Sequence, residues 1–166
     1  QYGEYLTHVL KPEIDKQLRT LPQAEESAVM GSSLGGVVSM HIAWNWPHIF
    51  QNAACLSSSF GYHDDLFQRA QKDPIPPIRL YLDSGWPRDN FDVTRQMVEL
   101  LSTRGMTLGE KLLYFAFPEA HHSETHWAAR LHIPFQFLFG RSWRGRTVSH
   151  VPVSYTHLRA HETRTN

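Results

Sequence analysis

Apolar residues in the first part of the chain fall at helical spacing: Tyr2, Tyr5, Leu6, Val9, Leu10, Ile14 and Leu18 recur every three or four positions. This pattern predicts an amphipathic helix that ends before Leu21-Pro22. Short continuous apolar runs follow. Ser27 to Met30 stops at Gly31, and Leu34 to Trp46 returns to a helical pattern until Pro47, so strand, sharp turn and helix are expected in that order. Further strands are predicted at Asn52 to Leu56, Ile78 to Leu82 and Lys111 to Phe117, the first two running into the polar segments Ser57-Ser58-Ser59 and Asp83-Ser84-Gly85. Phe91, Val93, Met97, Val98, Leu100 and Leu101 predict a helix between Asp89-Asn90 and Gly105, with capping residues in front and glycine behind. The segment from His121 to Gly140 reads as a loop opening into a final helix, bent or interrupted near Pro134.

Strands alternating with helices predict an α/β fold with a parallel sheet covered on both faces, because each parallel crossover needs a connection long enough to hold a helix. Ligands in such sheets bind at the carboxyl ends of the strands. One rim should therefore gather Ser33, Ser57 to Ser59, Asp83 to Asp89, and His121 with His122. From Gly140 onward the periodicity fails and basic residues scatter, which predicts one domain over residues 1–140 and a disordered tail over 141–166.

Charge narrows the partner classes. The 16 lysines and arginines balance 16 aspartates and glutamates, so nothing favours a nucleic acid or an acidic membrane, and a small-molecule ligand is expected. The single cysteine, Cys55, rules out an intramolecular disulfide and any multi-cysteine metal cluster, and fits a reducing compartment such as the cytoplasm. No run reaches the eighteen or so apolar residues of a membrane span, and the opening residues do not form a signal peptide.

Gly31-Ser32-Ser33-Leu34-Gly35 fits G-x-S-x-G, a strained strand-to-helix turn that lifts its central serine above a sheet edge. Ser33 is thus a candidate nucleophile, with the amide of Leu34 as oxyanion donor; the competing reading makes Ser32 or Ser33 a helix N-cap. A serine hydroxyl needs a base within reach and a third group to orient that base. The loop after Phe117 offers His121 and His122, of which His122 is preferred. Asp83, Asp89 and Asp92 are the candidate acids, and Asp89 is favoured because it lies on the loop; an aspartate before a helix also serves as an N-cap. His122 and His126, four apart, could share a helix face as metal ligands. H-E-x-x-H is absent and spacing supplies no third ligand, so no metal or cofactor is expected. Among Trp44, Trp46, Trp86, Phe91 and Trp127, the pair Trp86 and Trp127 flank the proposed acid and base and are candidate substrate contacts, while the others are expected in the core.

Together these residues resemble the Putative esterase family of α/β-hydrolases, which includes esterase D-like, enterochelin esterase-like and feruloyl or acetyl-xylan esterase-like proteins. The resemblance rests on Pro12 to Asp15, the Gly-Ser-Ser-Leu-Gly-Gly elbow at 31–36, Asp89-Asn90, and His122 followed by Glu124 and Trp127. It implies Ser33 as nucleophile, His122 as base and Asp89 as acid of a serine carboxylic-ester hydrolase. The expected substrate is a small, sugar-linked or aromatic acyl ester; an acyltransferase on the same triad and a non-catalytic binding module are the alternatives. Relative to the family pattern the chain lacks the strands before the elbow strand and the loop that supplies a second oxyanion amide. It is therefore expected to be the carboxyl-terminal part of the fold, with the elbow strand at an open edge. Residues 152–163, PVSYTHLRAHET, resemble translated sequencing-adapter read-through, so no role is assigned from about 151 to 166.

Overall fold

Four parallel strands in the order β1-β2-β3-β4 form the sheet of the computed structural model, which describes residues 1–140. The strands are β1 (Ala28–Ser32), β2 (Asn52–Leu56), β3 (Arg79–Trp86) and β4 (Leu112–Pro118). The helices are α1 (Tyr2–Tyr5), α2 (Lys11–Gln17), α3 (Leu34–Asn45), α4 (Leu66–Lys72), α5 (Phe91–Thr103), α6 (Glu124–Arg130) and α7 (His132–Phe139). The tail expected over 141–166, including its adapter-like part, lies outside the described residues.

Alternate strand residues enter opposite cores, as the twofold period of a strand requires. Ala53, Cys55, Leu80, Leu82 and Leu112 pack under α3, α4 and α5. Ala54, Leu56, Tyr81 and Leu113 pack with Phe137 and Leu138 of α7 on the other face. Both faces are covered, and the continuous apolar runs at β2 and β3 reflect burial on two sides.

The structure corrects two expectations. The third strand does not end at Leu82: it continues through Asp83-Ser84-Gly85 to Trp86, pairing with β4 as far as Trp86 opposite Pro118. Those polar residues are fully interior, because a buried partner from α6 meets the aspartate. Second, α4 fills the stretch after Ser59, where no helix was expected. The interruption expected near Pro134 falls at Leu131, where α6 and α7 meet.

The amino-terminal helical stretch forms over residues 2–17 with a π-turn at Leu6–Leu10. In that turn the Lys11 amide donates to Leu6 five residues back. Pro12 follows directly, and a proline cannot donate within a helix and crowds the carbonyl four residues earlier. The stripe that predicts the helix faces largely outward, with Tyr2 64% and Leu18 60% exposed. Small residues make the docking contact instead: Gly3 sits so close to the Trp46 ring that a Cβ there would fall 2.7 Å from it, and Thr7 is buried.

Candidate active site

The β3 extension shapes the rim. β1 and β2 end opposite one another at Ser32 and Leu56, and Leu56 pairs with Asp83. β3 and β4 run three residues farther, so the loops carrying Asp89 and His122 start above the level at which Ser33 leaves β1.

Ser33 takes φ 56 and ψ −122, a region sparsely populated by residues with a side chain. Its amide donates to Leu56 O at 2.9 Å, and its carbonyl accepts from Gly36 and Val37 at 3.2 and 3.4 Å. The turn needs Gly31: a Cβ there would lie 2.5 Å from the Gly35 backbone. Ser33 is the N-terminal flanking residue of α3, yet its hydroxyl makes no capping bond. That hydroxyl lies 3.3 Å from the Ser59 hydroxyl. The capping role proposed for Ser33 is therefore not the one observed. Leu34 opens α3, so its amide has no carbonyl acceptor within the helix.

Asp89 and His122 meet directly, with Nδ1 of His122 2.6 Å from Oδ1 of Asp89. The imidazole is 39% exposed and the carboxylate 1%. The second Asp89 oxygen accepts from Ser57 Oγ at 2.6 Å and from the Gly85 amide at 2.8 Å. Gly85 permits this approach, since a Cβ would stand 2.9 Å from Asp89 Oδ2 and 2.1 Å from Ala120 O. Asp89 and Asn90 are both left-handed, at φ 66 and 59, a conformation that Asp and Asn adopt more readily than other residues with a side chain. Between Ser33 and His122 there is no hydrogen bond among the described residues.

Beneath this pair lies a second one. Arg130 of α6 donates from Nε and Nη2 to the two Asp83 oxygens at 3.0 and 2.9 Å, and from Nη2 to Ser57 Oγ at 2.7 Å. Tyr81 donates to Asp83 at 2.9 Å, and the Ser57 amide does so at 3.2 Å. Burial pushes the Asp83 carboxyl above its usual range, against the pull of Arg130, Tyr81 and the Ser57 amide. Burial likewise pushes up the Tyr81 phenol and the Cys55 thiol, leaving Cys55 a structural residue in the core.

The remaining candidates separate cleanly. Asp83 serves Arg130, and Asp92 stands in the first turn of α5 with no bond to either histidine among the described residues. The His121 amide donates to Nδ1 of His126 at 2.7 Å, so His126 faces its own loop and not His122. Trp127 stands edge-on to His122, ring centres 4.9 Å apart, and donates to Ser57 Oγ at 3.0 Å. Trp86 packs edge-on to Phe91 and, with Pro87, Arg88, Glu119, Ala120 and His121, lines a cleft of about 270 Å³. Trp44 is buried in the core and Trp46 packs on Gly3.

Sequence reasoning missed Arg130, and it gave Ser57, Ser59 and Asn90 no individual roles. Arg130 lies three residues after Trp127, which puts both on one face of α6; that spacing was the available signal.

The sequence matches the family described as Putative esterase over residues 1–137. The chain belongs to this family. No curated protein matches its sequence. Among solved structures, the enterobactin esterase of Shigella flexneri, crystallised in the presence of 2,3-dihydroxy-N-benzoyl-glycine, superposes with TM-score 0.73 at 16% identity, over 82% of this chain and 38% of that one. A ferulic acid esterase from Anaeromyces mucronatus, in complex with ferulic acid, gives 0.70 at 19% identity over 84% and 54%. The S-formylglutathione hydrolase of Staphylococcus aureus gives 0.66 at 14% identity over 82% and 61%. At these identities the likeness is one of fold, and the chain spans less than two thirds of each of these relatives. Among the described residues no helix is long and apolar enough to cross a membrane.

Proposed function

We propose that the protein is a serine carboxylic-ester hydrolase in which Ser33 attacks, His122 moves the proton and Asp89 orients His122. The observation that carries this reading is the 2.6 Å contact between Asp89 and Nδ1 of His122 on the rim that holds the Ser33 turn. A carboxylate at Nδ1 keeps the proton there and leaves Nε2 as the basic nitrogen. Nε2 takes the Ser33 proton as Oγ bonds to the acyl carbon, and Asp89 balances the imidazolium charge that results. The Leu34 amide supports the oxyanion. Collapse of the intermediate expels the alcohol, which takes its proton from His122; water then enters by the same route in reverse and frees the acid.

The Ser33 hydroxyl rests against Ser59, and its hydrogen bond to His122 is made in the substrate complex; catalytic hydrogen bonds are commonly loose until substrate binds. An aromatic acyl ester is the substrate class favoured. It fits the aromatic ligands named for two of the similar solved structures and the Trp86 wall of the cleft beside His121. Trp127 contributes through its contact with the imidazole.

Fluorophosphonate labelling with mass mapping of the modified peptide tests the reading. A label on Ser33, absent in Ser33→Ala, is expected. A folded protein that takes no label at Ser33 overturns the mechanism.

A further inference from the structure

The strained Asp89-Asn90 dipeptide serves two masters. Its first carboxylate holds His122, while the amide of its second residue reaches toward the nucleophile. Asn90 Nδ2 donates to Ser57 O at 2.8 Å and to Ser59 Oγ at 3.2 Å. A carbonyl oxygen can only accept, so the bond to Ser57 O fixes the nitrogen end of the amide on this side. The second Asn90 proton is thereby delivered to the Ser59 hydroxyl. Ser59 in turn lies 3.3 Å from Ser33 Oγ, and its own amide donates to Ser33 O at 3.3 Å.

Proton counting gives this chain a direction. A hydroxyl has one proton and two acceptor lone pairs. Ser59 accepts from Asn90, so placing its own proton on Ser33 Oγ uses every donor in the chain and leaves the Ser33 proton available to a base. The opposite direction would commit the Ser33 proton to Ser59 and leave the Ser59 proton without a protein partner in the hydrogen bonds described.

We infer that Asn90 and Ser59 are positioning residues that form a donor relay onto Ser33, so that one left-handed turn at residues 89–90 sets the base through Asp89 and the nucleophile through Asn90. This rests on the ester-hydrolase reading. The relay makes the Ser33 hydroxyl an acceptor toward Ser59, leaves its proton uncommitted for His122 to take, and holds Oγ in a fixed rotamer before substrate arrives. Neither residue touches the reacting carbonyl.

The test is the second-order rate of fluorophosphonate labelling at Ser33, followed across pH, in the full chain and in Ser59→Ala, Asn90→Ala, the double variant and Ser59→Thr. A single neutral hydrogen bond is worth enough to slow labelling about fivefold to tenfold in Ser59→Ala. Ser59→Thr keeps the hydroxyl and should recover most of the rate. Because Asn90 acts through Ser59, the double variant should be no slower than the slower single variant, and the shape of the pH profile should not change. Labelling of Ser59→Ala within twofold of wild type, or single losses that multiply in the double variant, would overturn the relay. If wild type takes no label, the hydrolase reading fails on its own. The relay is then judged from a crystal structure of Ser59→Ala: a changed Ser33 rotamer supports it and an unchanged one overturns it.

Discussion

Two aspartates six residues apart, Asp83 and Asp89, each meet a cationic or basic partner, and the two pairs do different work. Asp89 is buried but faces a 39% exposed imidazole at 2.6 Å. Asp83 and Arg130 are both interior, 2.9 Å apart, with side-chain exposures of 0% and 4%. Ser57 joins them, donating to Asp89 while accepting from Arg130 and Trp127. The upper pair keeps one partner open to solvent, as the proton transfer proposed for His122 requires. The lower pair is sealed, and its geometry fixes the floor on which the upper one stands. A carboxylate's role here follows from what its partner can reach, and the residue type alone does not reveal it.

The sharpest way to break this comparison is to neutralise each aspartate in turn. Asp89→Asn should lower the rate of Ser33 acylation by about 10³- to 10⁴-fold with little change in folding stability. An asparagine can donate its amide to Nδ1 and so hold the proton on Nε2, the wrong nitrogen for a base. Stopped-flow labelling together with urea unfolding checks both halves of this expectation. A large loss of stability with unchanged labelling would make Asp89 a structural residue like Asp83.

The lower pair should respond in the opposite sense. Arg130→Met leaves Asp83 buried and unpaired as a charge, at an expected cost of about 3–5 kcal/mol of unfolding free energy. The double change Asp83→Asn with Arg130→Met should recover part of that loss, because the Asp83 charge is then gone while Asp89, 3.7 Å from Arg130 Nη2, keeps its bonds to Ser57, Gly85 and His122. The pH dependence follows the same logic. A carboxyl raised in the folded state contributes stability at pH below the ordinary carboxylate range, and that contribution is lost as pH rises through the raised value. Asp83→Asn should therefore flatten the stability profile on the acid side, read from urea midpoints between roughly pH 4 and 7.

This division explains what the sequence could reveal. The Ser33 turn and the Asp89–His122 contact were legible because local signals mark them: glycines around a serine, an aspartate before a helix, a histidine after a strand. The alternating strand and helix pattern located all four strands, and in β2 and β3 burial on both faces leaves continuous apolar runs. Arg130 gave no comparable signal, because its partner lies 47 residues away and a lone arginine in a helix usually faces water. The same blindness shortened β3. Asp83-Ser84-Gly85 looks like a loop until Arg130 and Tyr81 are known to satisfy the carboxylate, after which the strand can carry it inside. The exposed face of the first helical stretch was misjudged for a related reason: periodicity shows that a helix has an apolar stripe, but Gly3 and Thr7 determine which side docks on α3. A helix as short as α4 offers too few turns for periodicity to stand out.

The smallest expected effect probes the joint between the two pairs. Trp127 donates its indole proton to Ser57 Oγ and sets its ring edge-on to His122. Trp127→Phe keeps an aromatic ring beside the imidazole but removes the donor, while Ser57 still donates to Asp89 and accepts from Arg130. The loss should be about 1 kcal/mol in stability, the size of one neutral hydrogen bond, with Ser33 labelling within a few-fold of wild type. Trp127→Ala should lower labelling further than stability alone explains, because the imidazole then loses the surface that limits its rotation about the Asp89 contact. Measuring both variants by urea unfolding and labelling rate separates the indole's two functions. If Phe and Ala behave alike in labelling, the ring does not position His122, and the upper pair is held by Asp89 alone.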